Sequence, residues 1–201
     1  ICSATALRDA IQKGGALFGA PPDCIALYKD ALARGYDASL ARGGAAILYA
    51  LSYADEKTLH GISDMPPDMA PRLRAAAAKS DSLPQFFAAA AHRKYTAARI
   101  RRISLCAVLG IPAAIAHAPV PYLNLLGATP RGIAYLHAQG HRFSVPVLTK
   151  QAHIRRLDAK AQQQYAVSAR AERLYRLMQS TPSPAPALTR DANGNLYYQY
   201  P

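Results

Sequence analysis

The side chains best suited to chemistry lie in one run, His92 to Ile111 (HRKYTAARIRRISLCAVLGI), which holds Arg93, Lys94, Arg99, Arg101 and Arg102. Guanidinium and ammonium groups at this density bind phosphates rather than break bonds: arginine offers a planar fork of donors to anionic oxygens, and lysine a point charge. Tyr95 adds a ring on which a base can stack. A second run, Lys150 to Arg156 (KQAHIRR), supplies Lys150, Arg155, Arg156 and His153. Arg93, Lys94, Tyr95, Arg99, Arg102, Lys150 and Arg155 are therefore the candidate nucleic-acid-contacting residues. At the start of the chain, Ser3, Thr5 and Arg8 surround a helix start whose free amides can hold an anion, although helix capping alone accounts for the hydroxyls better.

Groups that make or break bonds are missing from this pattern. The sequence has no GxxxxGK loop and no nucleophile elbow, and residues 93–201 hold only three acids. The six histidines are scattered, so neither a catalytic residue nor a metal site is expected. Cys2, Cys24 and Cys106 are odd in number and form no Cys-x-x-Cys pair, which fits a reducing cytoplasm rather than a disulfide framework. No apolar run reaches the ~18 residues of a membrane span, and no charged-then-apolar leader is present. Ile1 in place of a methionine suggests a segment cut from something longer.

The net charge of +12 is unevenly placed. Residues 1–92 hold nine Lys+Arg and nine Asp+Glu, whereas residues 93–201 hold fifteen and three, which accounts for all of it. Such a basic half argues for a polyanionic partner, because lysine and arginine release counterions from a phosphate backbone while doing little for folding.

The elements that must position these cations read as helices. Content that is 51% apolar, with alanine runs at 75–78 and 88–91, favours a mainly α protein. Pro21-Pro22-Asp23 opens a helix to about Arg34, with Ile25, Leu27, Tyr28 and Leu32 inward and Gly35 as its stop. Ser39–Tyr53 reads as another, in which Gly43-Gly44 allows a bend or a close helix contact. Asp55–Ile62, Asp68–Lys79 and Leu83–Ala91 follow. Within 92–111, Ile100, Ile103, Leu105, Ala107 and Val108 form an apolar flank. Tyr122–Leu126 and Phe143–Leu148 are β-like around a helix Arg131–Gln139; if the two strands lie side by side this order makes them parallel, the alternative being that they pair with a domain missing from this chain. A long helix from about Asp158 to Gln179 turns Leu174, Leu177 and Met178 inward. Asn193-Gly194 centres a candidate hairpin between 187–190 and 196–200, behind a Pro-rich linker.

HRKYTAARIRR, PYLNLLGATPRGIAYL and SVPVLTK, in that order and at these intervals, resemble the C-terminal region of the bacterial tRNA(Met) cytidine acetate ligase family. The resemblance covers residues 1 to about 178, and its most specific part is LLG-x-T-x-x-G-x-x-YL. The opening ICSATALR resembles the ISSTxIR-type motif of the adenylyl-transferring superfamily that carries an HxGH signature. The resemblance implies that Ser3, Thr5 and Arg8 lie beside the nucleotide, and that ATP is bound mainly by an N-terminal Rossmann-type domain missing from this chain. It also implies an enzyme that activates acetate as acetyl-adenylate and acetylates N4 of the wobble cytidine of elongator tRNA(Met), with the helical region holding the tRNA.

The expected organisation is the end of a nucleotidyltransferase catalytic domain at 1–15, a neutral helical bundle at 16–92, a basic helical and α-β RNA-binding part at 93–180, and a Pro-rich linker and tail at 181–201. The fold class is mainly α, a helical bundle with a small β element near 122–148 and a candidate C-terminal hairpin. Expected partners are tRNA and the enzyme's own missing catalytic domain, without a membrane. The competing readings are a scaffold whose cationic face docks on that catalytic domain, and a different nucleotidyltransferase acting on a small acid.

Overall fold

The computed structural model describes residues 3, 6, 7, 9, 10, 13–15, 19–185 and 187–199 of a mostly helical chain. Helix α1 (Pro22–Ala33) starts on a proline, where a missing N–H is harmless. It ends at Gly35, whose φ of +74° and closeness to Thr181, 2.5 Å from a would-be Cβ to Oγ1, leave no room for a side chain. The inward stripe expected on α1 is corrected: no residue of the helix is buried, and Leu27 is 70% exposed. Periodicity marks a stripe, but no described element covers this one; α1 is held mainly at its end, where the Thr181 amide donates to the Gly35 carbonyl (3.0 Å).

After a 3-10 turn, Leu40–Gly43, come α2 (Gly44–Ser52), α3 (Glu56–His60), α4 (Met69–Ala78), α5 (Leu83–Ala90) and α6 (Ala97–Leu109); α2, α4, α5 and α6 build the main core, while Leu59 of α3 packs with Ile62 and Ala70 in a small separate cluster. Ile47, Leu48 and Leu51 of α2 meet Met69, Leu73, Ala76 and Ala77 of α4, with Leu83, Phe86 and Ala90 of α5 closing one side. Ile100 and Ile103 of α6 are buried in this same cluster, so packing runs through the change of charge at 92/93. The Gly43-Gly44 pair serves close approach, since a Cβ would lie 2.9 Å from Met178 at Gly43 and 3.3 Å from Leu83 at Gly44. Asp55, Ser82 and Thr96 each accept from an amide three residues on and set where α3, α5 and α6 begin, while Gly110 (φ +62°) ends α6.

Beyond α7 (Ala113–Ala116) the chain forms β1 (Leu123–Asn124), β2 (Gly127–Ala128), α8 (Pro130–Gln139), β3 (Val147–Leu148), a 3-10 turn Gln151–Arg156, and α9 (Ala159–Leu177). β1 and β3 pair in parallel, Leu123 with Val147 and Asn124 with Leu148. Strands β4 (Ala187–Arg190) and β5 (Leu196–Gln199) are antiparallel, and β5 also pairs with β2. A second small core joins Leu148, Leu157 and Ala161. The long α9 links it to the bundle, its far end packing near α6 and Gly43. Leu177, expected inward, is half exposed, because the helix turns Leu174 and Met178 to the bundle instead. No helix among the described residues is long and apolar enough to cross a membrane.

Phe86 is fully buried at the junction of α4, α5 and α6. Phe86→Ala is expected to lower the unfolding free energy by about 3–5 kcal/mol, read as a shifted urea midpoint at unchanged slope. Tyr53→Ala, at a position 77% exposed, is expected to stay within about 0.5 kcal/mol of the parent.

Candidate nucleic-acid interface

The basic run does not begin as a helix. His92 to Tyr95 fold into a tight turn in which the Tyr95 amide donates to the His92 carbonyl (3.0 Å) and the Lys94 amide to His92 Nδ1 (3.1 Å). Arg93 and Lys94 occupy the two central positions of the turn and are exposed. The turn is anchored on both sides. Arg72 of α4 donates to the carbonyls of Ala89, Ala90 and Ala91 and so closes the end of α5, while the Tyr95 hydroxyl donates to Asp68 Oδ1 (2.7 Å) at the start of α4. That hydrogen bond holds the Asp68 carboxyl below the ordinary carboxylate range and pushes the Tyr95 phenol up.

Burial of Ile100 and Ile103 fixes how α6 is rotated and therefore where its arginines point. Arg99 reaches Asp64 (2.7 Å) and stacks over the Tyr95 ring, 5.1 Å from its centroid. Arg102 pairs with the other oxygen of Asp64, and Arg101 lies over Phe87 at 5.5 Å. Asp64 adopts φ +62°, a left-handed conformation that non-glycine residues other than Asn and Asp rarely take. The hydrogen bond from Arg102, then that from Arg99, holds its carboxyl below the usual carboxylate range.

The candidate residues thus divide into groups. Arg93 and Lys94 are exposed on a fixed turn. Arg99 is tied to Asp64 and Tyr95; Arg102 is tied to Asp64 but remains 61% exposed, and two guanidinium groups on one carboxylate leave one positive charge over. Tyr95, expected as a stacking ring, has one face under Arg99 and its hydroxyl on Asp68. Lys150 and Arg155 are exposed on a different element, the 3-10 turn that packs on β3 and the start of α9. The 150–156 run also carries His153, 3.5 Å from Thr149 Oγ1. Farther along α9, Arg170 donates to the Gly110 carbonyl (3.3 Å) and the half-buried Arg176 to the Ser183 carbonyl (3.2 Å), so neither is free for a ligand.

Ser3 Oγ accepts from the Ala6 amide (3.1 Å), a cap of the first helical residues. Thr5 and Arg8 lie outside the described residues. Among the described residues no three His, Cys, Asp or Glu groups converge on a metal-sized site. What reading the sequence missed is the pairing of Asp64 and Asp68 with the basic segment; nothing local to either acid signals a partner some thirty residues away.

The model of the HIGH Nucleotidyl Transferase family matches residues 1–188. A tRNA(Met) cytidine acetate ligase of Listeria welshimeri is 29% identical over 158 residues, covering 74% of this chain and 38% of the relative. The crystal structure of apo Thermotoga maritima TmcAL superposes with a TM-score of 0.77 at 18% identity, over 89% of this chain and 46% of that one. A second Thermotoga maritima TmcAL structure, bound with alpha-thio ATP, gives 0.78 at 19%, over 90% and 48%. At these identities the two structures show a shared fold. The chain spans less than half the length of each of these relatives.

Asp64→Asn keeps a residue that tolerates the left-handed backbone and removes only the charge. Because the folded-state pKa of Asp64 is depressed, its stabilising effect is present above the unfolded carboxylate value of about 3.9 and is lost as pH falls through the folded value. The parent is therefore expected to be more stable than Asp64→Asn at pH 7, with the gap in urea midpoints closing below about pH 4.

Proposed function

This chain belongs to the HIGH nucleotidyl transferase family, and from that premise we propose that it forms the tRNA-holding helical region of an ATP-dependent ligase resembling tRNA(Met) cytidine acetate ligase. In this reading the enzyme activates acetate as acetyl-adenylate and passes the acetyl group to N4 of the wobble cytidine of elongator tRNA(Met). The described residues contribute grip and orientation. Transfer to a base needs its amine held against a mixed anhydride, and fixing the surrounding backbone removes much of the entropic barrier to that encounter.

The observation that carries the reading is the turn at Arg93-Lys94: two exposed cations on a backbone fixed by hydrogen bonds, within the half of the chain that holds all of the net charge. Lys150 and Arg155 extend the basic surface on a second element. ATP belongs to the reading through the family and the ATP-analogue complex of the relative; the proposed places of Ser3, Thr5 and Arg8 beside the nucleotide, and of the chain as the part following a catalytic domain, belong to it as well. A scaffold role is the second reading, favoured by the exposed Leu27 and Tyr28 on α1, which suit a docking surface for such a domain.

Filter binding of the chain to tRNA separates the two. Phosphate contacts make log affinity fall linearly with log salt, at about −0.7 to −0.9 per phosphate neutralised. Replacing Arg93 and Lys94 together by alanine is expected to weaken binding and to flatten that slope by about 1 to 2, while melting at the parent temperature. A response flat in salt for the parent would sink the reading in favour of the scaffold.

A further inference from the structure

The turn roofs a half-open pocket of about 270 Å³, with walls formed by Phe87, His92, Arg93, Tyr95 and Ala97 over a floor at Ile100. This volume sits just under the ~300 Å³ at which drug-sized sites begin, enough for one ring system and too small for two stacked ones. The interior is apolar and flat-walled. Alanines at 91 and 97 add little bulk to the lining, and the His92 and Tyr95 rings contact one another at 5.5 Å and 35°, so a ring enters beside this pair and not between its members. Charge is confined to the outside: Arg99 backs the Tyr95 ring, Arg101 backs Phe87, and Arg93 forms part of the rim beside Lys94. Because His92 Nδ1 accepts from the Lys94 amide, the proton of the neutral ring sits on Nε2, which makes that edge a donor.

We propose that this pocket takes one unpaired nucleobase of a single-stranded RNA segment while Arg93 and Lys94 hold the phosphates on either side of it. A phosphate alone would need donors on the floor, where Ile100 stands. An apolar peptide side chain would leave the cationic rim without a partner. A flat ring carried on an anionic backbone satisfies both. The inference rests on the RNA-holding reading above and narrows it: the turn reads single strands, because a base inside a duplex cannot leave its stack without a penalty.

The test is a fluorescence titration of the full chain with a single-stranded RNA oligonucleotide bearing one 2-aminopurine, alongside a duplex of the same length. Ala97→Leu fills the slot from an exposed first-turn position, and Ala98→Leu, the same enlargement at an exposed neighbour outside the pocket lining, serves as the control. The parent is expected to change the 2-aminopurine emission. Ala97→Leu is expected to weaken single-strand binding about tenfold with the salt slope and the duplex affinity unchanged, and Ala98→Leu to behave as the parent. Should Ala97→Leu melt early, Ala91→Leu fills the same slot from another lining position, and the same loss is expected of it. A filled pocket that binds single strands as tightly as the parent, or that loses single strand and duplex alike, overturns the inference and leaves the RNA reading standing. A parent that binds neither RNA in a salt-dependent way overturns that reading and the pocket together.

Discussion

Burial of Ile100 and Ile103 is the constraint on which the rest of the site depends. Two β-branched side chains three residues apart, both almost fully buried, key α6 into the core shared by α2, α4 and α5. A helix fixed in rotation fixes every neighbour. Arg99 and Arg102, also three apart, must leave on the flank that meets Asp64, whereas Arg101 leaves on the side of Phe87. A residual rotation of α6 would expose an isoleucine worth about 1.5–3 kcal/mol of burial, more than an exposed ion pair returns, so packing sets the geometry and the ion pairs follow it.

The division of charge along the sequence is bridged in space. The neutral half contributes Asp64 and Asp68 to the basic segment, and uses its own Arg72 to close α5. Those acids do not neutralise the site evenly. They bind Arg99, Arg102 and the Tyr95 hydroxyl, the groups nearest the bundle, and leave Arg93 and Lys94 at the tip. Half-exposed ion pairs add little stability, but each removes freedom from the side chain it holds, and here that freedom belongs to the supports of the turn rather than to its cations.

Much of the scaffold was legible because it depends on local chemistry. Ser82, Thr129 and Gly110 end or begin helices by bonding amides within three residues or by adopting positive φ, and such signals survive any tertiary context. The parallel contact of 123–124 with 147–148 followed from a strand-helix-strand order that permits few alternatives. What failed to show in sequence depends on partners. The stripe on α1 has periodicity without a covering element among the described residues, and Leu177 lies on a helix whose burial is set by where Gly43 lets Met178 approach. The turn at 92–95 is the instructive case. HRKY lacks glycine, asparagine and proline, so its residues continue a helical pattern; the helix starts only at Ala97 because Thr96 caps it and the Tyr95 hydroxyl is drawn to Asp68.

That start matters for what a polyanion meets. Had α6 begun at His92, Arg93 and Lys94 would extend from the first turn of a helix, where the positive end of the macrodipole disfavours cations, and their amides would be open to solvent. In the turn, the Lys94 and Tyr95 amides are bonded to His92, and the cations project from a backbone already fixed before any ligand arrives. Ordering a loop on binding subtracts from affinity roughly 1–2 kcal/mol for each backbone residue restrained, and this segment has met that loss during folding. The side-chain freedom of Arg93 and Lys94 is what remains to be lost when an anion binds, whereas Arg99 and Arg102, held on Asp64, keep the support behind the turn fixed.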